Sequence, residues 1–113
     1  MKKWKLVVLG LLAAGLAQAA LFTAKVAVPD GTTSAIVYIT NYPVSIRVIP
    51  SGGASGKAQF STSTPADLQA GTGVFDDWSK GTVSANTAVA SEGPITAVRF
   101  VSVSGAITGE VVQ

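Results

Sequence analysis

The sequence contains no cysteine and no histidine among its 113 residues. The missing cysteine excludes a disulfide, a thiolate zinc site and a cysteine nucleophile in this chain. The missing histidine excludes a Ser-His-Asp triad and a histidine general base. We therefore expect a protein that is not an enzyme, with no catalytic residue, no cofactor and no metal site.

Charged residues are also scarce, at 12% of the chain, whereas 48% of the residues are hydrophobic. The net charge of +2 comes from the N-terminus, because three of the eight positive residues lie within the first five positions. From Ala20 onward five positive and six negative side chains remain, which gives a net charge of −1. A nearly neutral domain has no electrostatic basis for binding nucleic acid, so no such partner is predicted.

The first 19 residues have the three parts of a secretory signal peptide. A positive start, an apolar run of 11 residues and a small-residue cleavage site follow one another: Lys2-Lys3-Trp4-Lys5, Leu6–Leu16 and Ala17-Gln18-Ala19. Cleavage after Ala19 would deliver the domain to the periplasm, the cell surface or the medium. The alternative is an uncleaved hydrophobic helix over Leu6–Ala24, which would span roughly 28 Å. In that case residues 1–24 would supply the only membrane contact or would pack against a partner.

Residues 20–113 are predicted to form one β domain of short strands separated by turns. The extended segments are Leu21–Val28, Ser34–Thr40, Val44–Ile49, Lys57–Thr62, Val74–Trp78, Thr82–Ala90 and a terminal hairpin over Pro94–Val112. Roughly seven short strands at this spacing are typical of sandwich and jelly-roll domains. The predicted fold class is therefore all-β, an antiparallel β-sandwich or jelly-roll-like domain preceded by an N-terminal hydrophobic helix.

Several local patterns refine this prediction. Alternation along Val44–Ile49 predicts a strand with one buried face, paired as a hairpin with Lys57–Thr62. In the latter, Ala58 and Phe60 are expected to face inward, and Lys57, Gln59 and Ser61 outward. The sequence Thr64-Pro65 predicts an N-capped helical turn that ends near Gly71. Ser104-Gly105 predicts the turn of the terminal hairpin.

The most chemically suggestive cluster is Asp76-Asp77-Trp78. Neighbouring carboxylates can bind calcium, and a tryptophan beside them can stack on a sugar ring, so the cluster is a candidate partner or glycan contact. The alternative is that Trp78 or Phe75 closes the end of the core while both aspartates face water. Adjacent strand residues point to opposite faces, which favours this second interpretation.

Two arginines lie in otherwise apolar strands and are candidate interface residues. Arg99 is predicted to pair with Glu110 across the terminal hairpin or, alternatively, to reach a neighbouring subunit. For Arg47 the same two alternatives apply, an ion pair within the chain or a contact with a neighbouring subunit. Either arginine at an interface would indicate a protein that assembles with copies of itself or with other structural subunits.

The second half of the chain resembles small β-rich structural proteins of tailed-bacteriophage virions. The resemblance covers Ala58–Gln113 and is carried by Ser61-Thr62-Ser63-Thr64-Pro65, Ala70-Gly71-Thr72, Trp78 with Gly81-Thr82-Val83-Ser84, Gly93-Pro94-Ile95-Thr96-Ala97-Val98-Arg99, Ser104-Gly105 and Glu110-Val111-Val112. It implies a structural role in the virion and a symmetric oligomer, and it assigns no functional residue.

Two functions follow as hypotheses. The first is a non-enzymatic structural subunit of a virion or similar surface assembly that acts through oligomerisation. The second is an exported bacterial surface or filament-forming binding protein with a cleaved signal peptide. In the second, Leu21–Val28 would be a free N-terminal strand able to add to the sheet edge of another subunit.

Overall fold

A computed structural model describes residues 23–91 and 94–113. Within these ranges the chain forms one helix and eight strands: β1 (Thr23–Val28), β2 (Val37–Tyr38), β3 (Val44–Pro50), β4 (Ser55–Ser61), α1 (Pro65–Ala70), β5 (Asp76–Asp77), β6 (Thr87–Ser91), β7 (Ala97–Ser104) and β8 (Ile107–Val112). The predicted signal peptide and most of the predicted hydrophobic helix lie outside the described residues. The last two residues of that predicted helix, Thr23 and Ala24, are described, and they are not helical but begin strand β1. In the described part, no helix has the length and apolar character needed to cross a membrane.

The strands form two antiparallel sheets of four strands each. Sheet A has the order β1-β8-β3-β6, and sheet B has the order β2-β7-β4-β5. The prediction of an all-β fold is therefore confirmed. In both sheets, strands that are distant in the sequence lie side by side; for example, β1 pairs with β8 from Thr23 opposite Val112 to Val28 opposite Ile107.

The core lies between the two sheets and is built from the alternating inward residues of both. Sheet A contributes Val44, Ile46 and Val48 from β3, as the alternation predicts. The neighbouring strands and sheet B add the remaining buried apolar residues, which include Val28, Ala58, Val98, Phe100, Ile107 and Val111. Burial of this set from both sides is what joins the sheets.

Two predicted hairpins are wrong. β3 and β4 belong to different sheets, and so do β7 and β8. The turns at Ser51–Ala54 and at Gly105 are corners at which the chain crosses from one sheet to the other. These corners lie together, because the backbone N–H of Ser51 donates to the carbonyl of Ala106 at 3.0 Å.

Helix α1 begins and ends as its sequence predicts. The hydroxyl of Thr64 accepts a hydrogen bond from the backbone N–H of Asp67, and Pro65 occupies the first turn. Gly71 ends the helix with φ of 79°, a left-handed conformation that favours glycine. Leu68 is the residue of this helix that is buried.

Strands β2, β5 and β6 are shorter than the predicted extended segments, and β4 differs in the orientation of one residue. Strand β2 covers only Val37–Tyr38. The residues on either side form isolated backbone hydrogen bonds and not a continuous ladder. The N–H of Ser34 donates to the Phe100 carbonyl at 2.8 Å, and the N–H of Ile39 donates to the Thr96 carbonyl at 3.0 Å. In β4, Ser61 is fully buried and not outward as predicted. Its hydroxyl accepts from the N–H of Ser63 at 3.0 Å, which satisfies the buried oxygen.

Candidate interaction surface

A row of charged side chains crosses the outer face of sheet A. Lys25 of β1 lies opposite Glu110 of β8, and Glu110 lies opposite Arg47 of β3. The Lys25 Nζ and Glu110 Oε2 atoms are 3.7 Å apart, and Arg47 donates to the side chain of Asn86 at 2.6 Å. The next position in the row, on β6, is Ala88. The alternation of positive, negative and positive charge therefore stops at the edge of the sheet.

The partner of Glu110 corrects one prediction. Arg99 does not pair with Glu110, because the two residues lie in different sheets. Arg99 instead donates from Nε to the side-chain oxygen of Gln59 at 2.7 Å, and its guanidinium lies 4.0 Å above the ring of Phe75. Arg47 and Arg99 thus lie on the outer faces of different sheets, and the structure does not bring them together. Whether either one contacts another subunit stays a prediction.

Both edges of sheet A are open along their length in the described part of the chain. β1 pairs on one side with β8 over six residues, and β6 pairs on one side with β3 over five. β6 reads Thr-Ala-Val-Ala-Ser and carries no charge and no proline. Open edges expose a row of backbone donors and acceptors, and lysine or proline normally discourages pairing there. β6 lacks both of these protections.

The edges of sheet B are of a different kind. β2 and β5 each pair with their neighbour over only two residues. An edge strand this short offers few backbone groups to a partner. Sheet A is therefore the part of the described structure with room for another strand.

An apolar cleft of about 180 Å³ lies between the sheets beside β6. It is lined by Ile46, Phe60, Trp78, Ser79, Val89, Ala90 and Ile95. These residues come from both sheets and from the turn that follows β5. Val89 and Ala90 of β6 are part of this lining, so the cleft lies directly beside an uncharged edge strand of sheet A.

Trp78 lies in the core with 5% of its surface exposed. Its indole N–H donates to the carbonyl of Gly81 at 2.6 Å, and its backbone N–H donates to the carbonyl of Ala58 at 3.0 Å. The ring belongs to the wall of the cleft, where a small part of it is accessible. Its predicted role as a partner or glycan contact stays a prediction.

Asp76 and Asp77 are both exposed on β5, where they lie opposite Phe60 and Gln59 respectively. Asp77 accepts from Gln59 Nε2 at 2.9 Å and from Lys57 Nζ at 3.0 Å. The hydrogen bonds from Gln59 and from Lys57 hold the pKa of Asp77 below its ordinary value. Gln59 therefore links Asp77 to Arg99 in one polar network on the outer face of sheet B.

Gln113 forms a buried polar contact that the sequence does not reveal. Its side-chain oxygen accepts from the backbone N–H of Thr40 at 2.7 Å and of Asn41 at 3.1 Å, and its amide donates to the carbonyl of Tyr38 at 3.1 Å. It is 4% exposed. These bonds hold the connection between β2 and β3. No local sequence pattern marks Gln113, because all its partners lie more than 70 residues away.

A second cleft of about 280 Å³ lies at this end of the molecule. It is lined by Tyr42, Pro43, Val44, Ser45, Ala90, Val112 and Gln113. The Tyr42 hydroxyl donates to the carbonyl of Ile95. Among residues 23–91 and 94–113, no three acidic side chains lie close enough together to hold a metal ion.

Comparisons with known proteins do not identify a family for this chain. No protein-family model matches the chain, and no match is found among curated proteins. Among solved structures it is similar to an oxalate oxidase, with 15% identity and a TM-score of 0.48, over 81% of this chain and 40% of that one. It is also similar to Peruvianin-I, a cysteine peptidase from Thevetia peruviana latex, with 15% identity and a TM-score of 0.44, over 81% of this chain and 48% of that one. The chain spans less than half the length of either enzyme, and similarity at this level transfers no activity.

Proposed function

We propose that the chain is a non-enzymatic structural subunit that acts through oligomerisation in a virion or similar surface assembly. The observation that carries this proposal is the open, uncharged edge strand β6 beside an apolar cleft. An unprotected edge of this kind is a template for pairing with another chain. A subunit whose role is to assemble has a use for such an edge, whereas a protein that works alone normally blocks it.

The strand order supports a finer assignment of the fold within this proposal. The pairs β1–β8, β2–β7, β3–β6 and β4–β5 nest inside one another across the two sheets. Such nested pairs in two four-stranded sheets are the pattern of a jelly roll, an architecture that viral capsid domains share with lectins and cupins. The resemblance of the C-terminal half to virion proteins points the same way. Fold alone does not assign function, so the proposal depends on the edge and cleft.

The available side-chain chemistry is consistent with a non-enzymatic role. The carboxylate of Asp77 is held by Gln59 and Lys57, and that of Glu110 lies beside Lys25. Ion pairs and hydrogen bonds on sheet faces serve to orient strands and neighbours. An acid or base for catalysis would need a substrate-sized site around it, and the clefts have mainly apolar walls.

An exported surface or filament-forming protein is the second candidate, and the predicted signal peptide over residues 1–19 favours it. One detail of that hypothesis changes. Thr23–Val28 is not a free strand, because it already forms β1 and pairs with β8 of its own chain. Only its outer edge is available to another subunit.

Two measurements on the protein from its native source test these proposals. Sedimentation velocity over a wide range of concentration should reveal an oligomer or a particle-bound form. A protein that stays monomeric at every concentration and is absent from all particles would contradict the structural role. The intact mass separates the two locations: a chain that starts at Ala20 supports export, and one that starts at Met1 supports a leader retained in the assembly.

A further inference from the structure

We propose that copies of this chain join head to tail, with the free edge of β1 in one copy pairing with the free edge of β6 in the next. This inference rests on the proposed structural role and names its contact. The occupant of the β6 edge is thus a second copy of the same chain. The contact would extend sheet A from one subunit into the next.

The number of strands in sheet A makes this arrangement geometrically direct. Directions alternate across an antiparallel sheet, so in the order β1-β8-β3-β6 the two edge strands run in opposite directions. A second copy placed beside β6 in the same orientation brings its β1 antiparallel to β6. The contact is heterologous and can repeat, which produces a ring or an open filament. Pairing of two β1 edges or two β6 edges would instead require a twofold axis and would stop at a dimer.

The side-chain alternation of the two strands matches across this contact. In β6 Val89 packs against the core, whereas Ala88 and Ala90 are exposed. In β1 Val26 packs against the core, and Lys25 is exposed. An antiparallel register that keeps apolar residues inward sets Val26 of the incoming copy beside Val89. The incoming valine then lies beside Val89 in the wall of the cleft that Trp78 and Phe60 also line.

Charge favours the head-to-tail contact over a contact between two β1 strands. Lys25 lies 70% exposed on the outer face of β1. Two β1 edges would place two copies of Lys25 on adjacent strands, and like charges there are destabilising. The edge of β6 instead offers Lys25 the small uncharged side chains of Ala88 and Ala90.

The apolar cleft favours the head-to-tail contact over a contact between two β6 strands. A second β6 would bring only Val89 to the inner face, since Thr87 shares that face and is polar. β1 brings Ala24 and Val26 to the same face, both of them half-buried in their own copy. The larger apolar contribution of β1 favours it as the strand that covers the cleft.

Single cysteines can test the contact, because the chain has none of its own. The variants are Ala27→Cys on β1 and Ala88→Cys on β6, both at exposed positions. With a short thiol crosslinker, each variant alone should stay at the mass of one chain, and an equimolar mixture should yield crosslinked pairs. A chain with both substitutions should yield a ladder of multimers. Circular dichroism and sedimentation should show that each variant folds and assembles like the parent protein.

A charge test on the same edge is independent of the crosslinker. Ala88→Lys with Ala90→Lys places two positive charges beside Lys25 of the next copy and should weaken association by about tenfold. Ala88→Glu with Ala90→Glu should strengthen it by several-fold. The matched control is Ala66→Lys with Ala70→Lys on helix α1, which adds the same charge at exposed positions outside both edge strands of sheet A. The control should leave association unchanged.

Each other outcome overturns the inference in a recognisable way. Crosslinking of Ala27→Cys alone would indicate contact between two β1 strands, and crosslinking of Ala88→Cys alone would indicate contact between two β6 strands. Weaker association in both charge variants would also indicate two β6 strands. An oligomer that neither test affects would leave the structural role intact and refute this contact. A protein that never associates would refute both.

Discussion

The contact between Gly109 and the ring of Phe100 predicts that Gly109→Ala destabilises the fold. Gly109 lies on the inner face of β8, and a methyl group on its Cα would overlap the ring of Phe100 on β7. Phe100 is fully buried, so the ring cannot move into open space. Overfilling a packed core typically costs about 1–3 kcal/mol. For a domain of this size, each kcal/mol lowers the melting temperature by about 4–8 °C.

Thermal and urea unfolding of the full chain measure this effect. Gly52→Ala is the matched control, because Gly52 is exposed and an added methyl group would meet nothing within 4 Å. The control should unfold at the parent temperature or slightly above it. Adding Phe100→Leu to Gly109→Ala should restore part of the lost stability, since the smaller side chain makes room. A Gly109→Ala protein as stable as the parent would refute the close packing of β8 on β7.

Three further predictions concern single contacts. Gln113→Ala should lower the free energy of unfolding in urea by about 1–3 kcal/mol, because it removes three part-buried hydrogen bonds to the backbone of the β2–β3 connection; no change would mean that water replaces the amide. Thr64→Ala removes the N-cap of α1 and should cost about 1 kcal/mol in the same assay, and Thr64→Ser should restore it. The pKa of Asp77 lies below its ordinary value of 3.8, owing to hydrogen bonds from Gln59 and Lys57, so its contribution to stability is complete above that value and is lost as the pH falls through the folded-state pKa. The difference in melting temperature between the parent and Asp77→Asn should therefore shrink below pH 3.8, and a difference that is constant with pH would contradict the assignment.

The features predicted correctly from the sequence are those that depend on neighbouring residues. The alternation of Val44, Ile46 and Val48 identifies the buried face of β3, because a strand repeats every two residues. Thr64 and Gly71 identify the two ends of α1 for an equally local reason, since caps satisfy backbone groups within one helical turn. Local periodicity therefore carries information about which segments are strands and which faces are buried.

The features that could not be predicted depend on residues far apart in the chain. Ser104-Gly105 correctly indicates a turn between two strands, but a turn does not determine whether those strands pair or enter different sheets. The predicted partner of Arg99 is wrong for this reason. Gln59 becomes the neighbour of Arg99 only through the pairing of β4 with β7. The structural role of Gln113 could not be predicted for the same reason, because its hydrogen bonds join residues that lie far apart in the chain.

The candidate interaction surface also depends on residues that are far apart in the chain, so it could not be predicted from the sequence. Arg47 stands out in the sequence as a charge in an apolar strand, but its row with Glu110 and Lys25 exists only because β8 separates β3 from β1. The segment that contains β6 has a weak pattern, since Ala88 and Ala90 are small. An edge is a property of the sheet order, so no feature of Thr87–Ser91 alone identifies it as an edge.

The nested strand order connects this limit with the proposed assembly. β4–β5 is the single pair of sequence-adjacent strands in the described sheets, and every other pair joins distant segments. The β1 edge in particular exists only after residues 23–28 have paired with residues 107–112 at the other end of the chain. Closing a loop of that length is entropically costly, so β1 is held in place by the completed domain and not by local propensity. If copies join through β1 and β6, a partly folded chain lacks one of the two edges, and head-to-tail growth is restricted to subunits whose sheet A is complete.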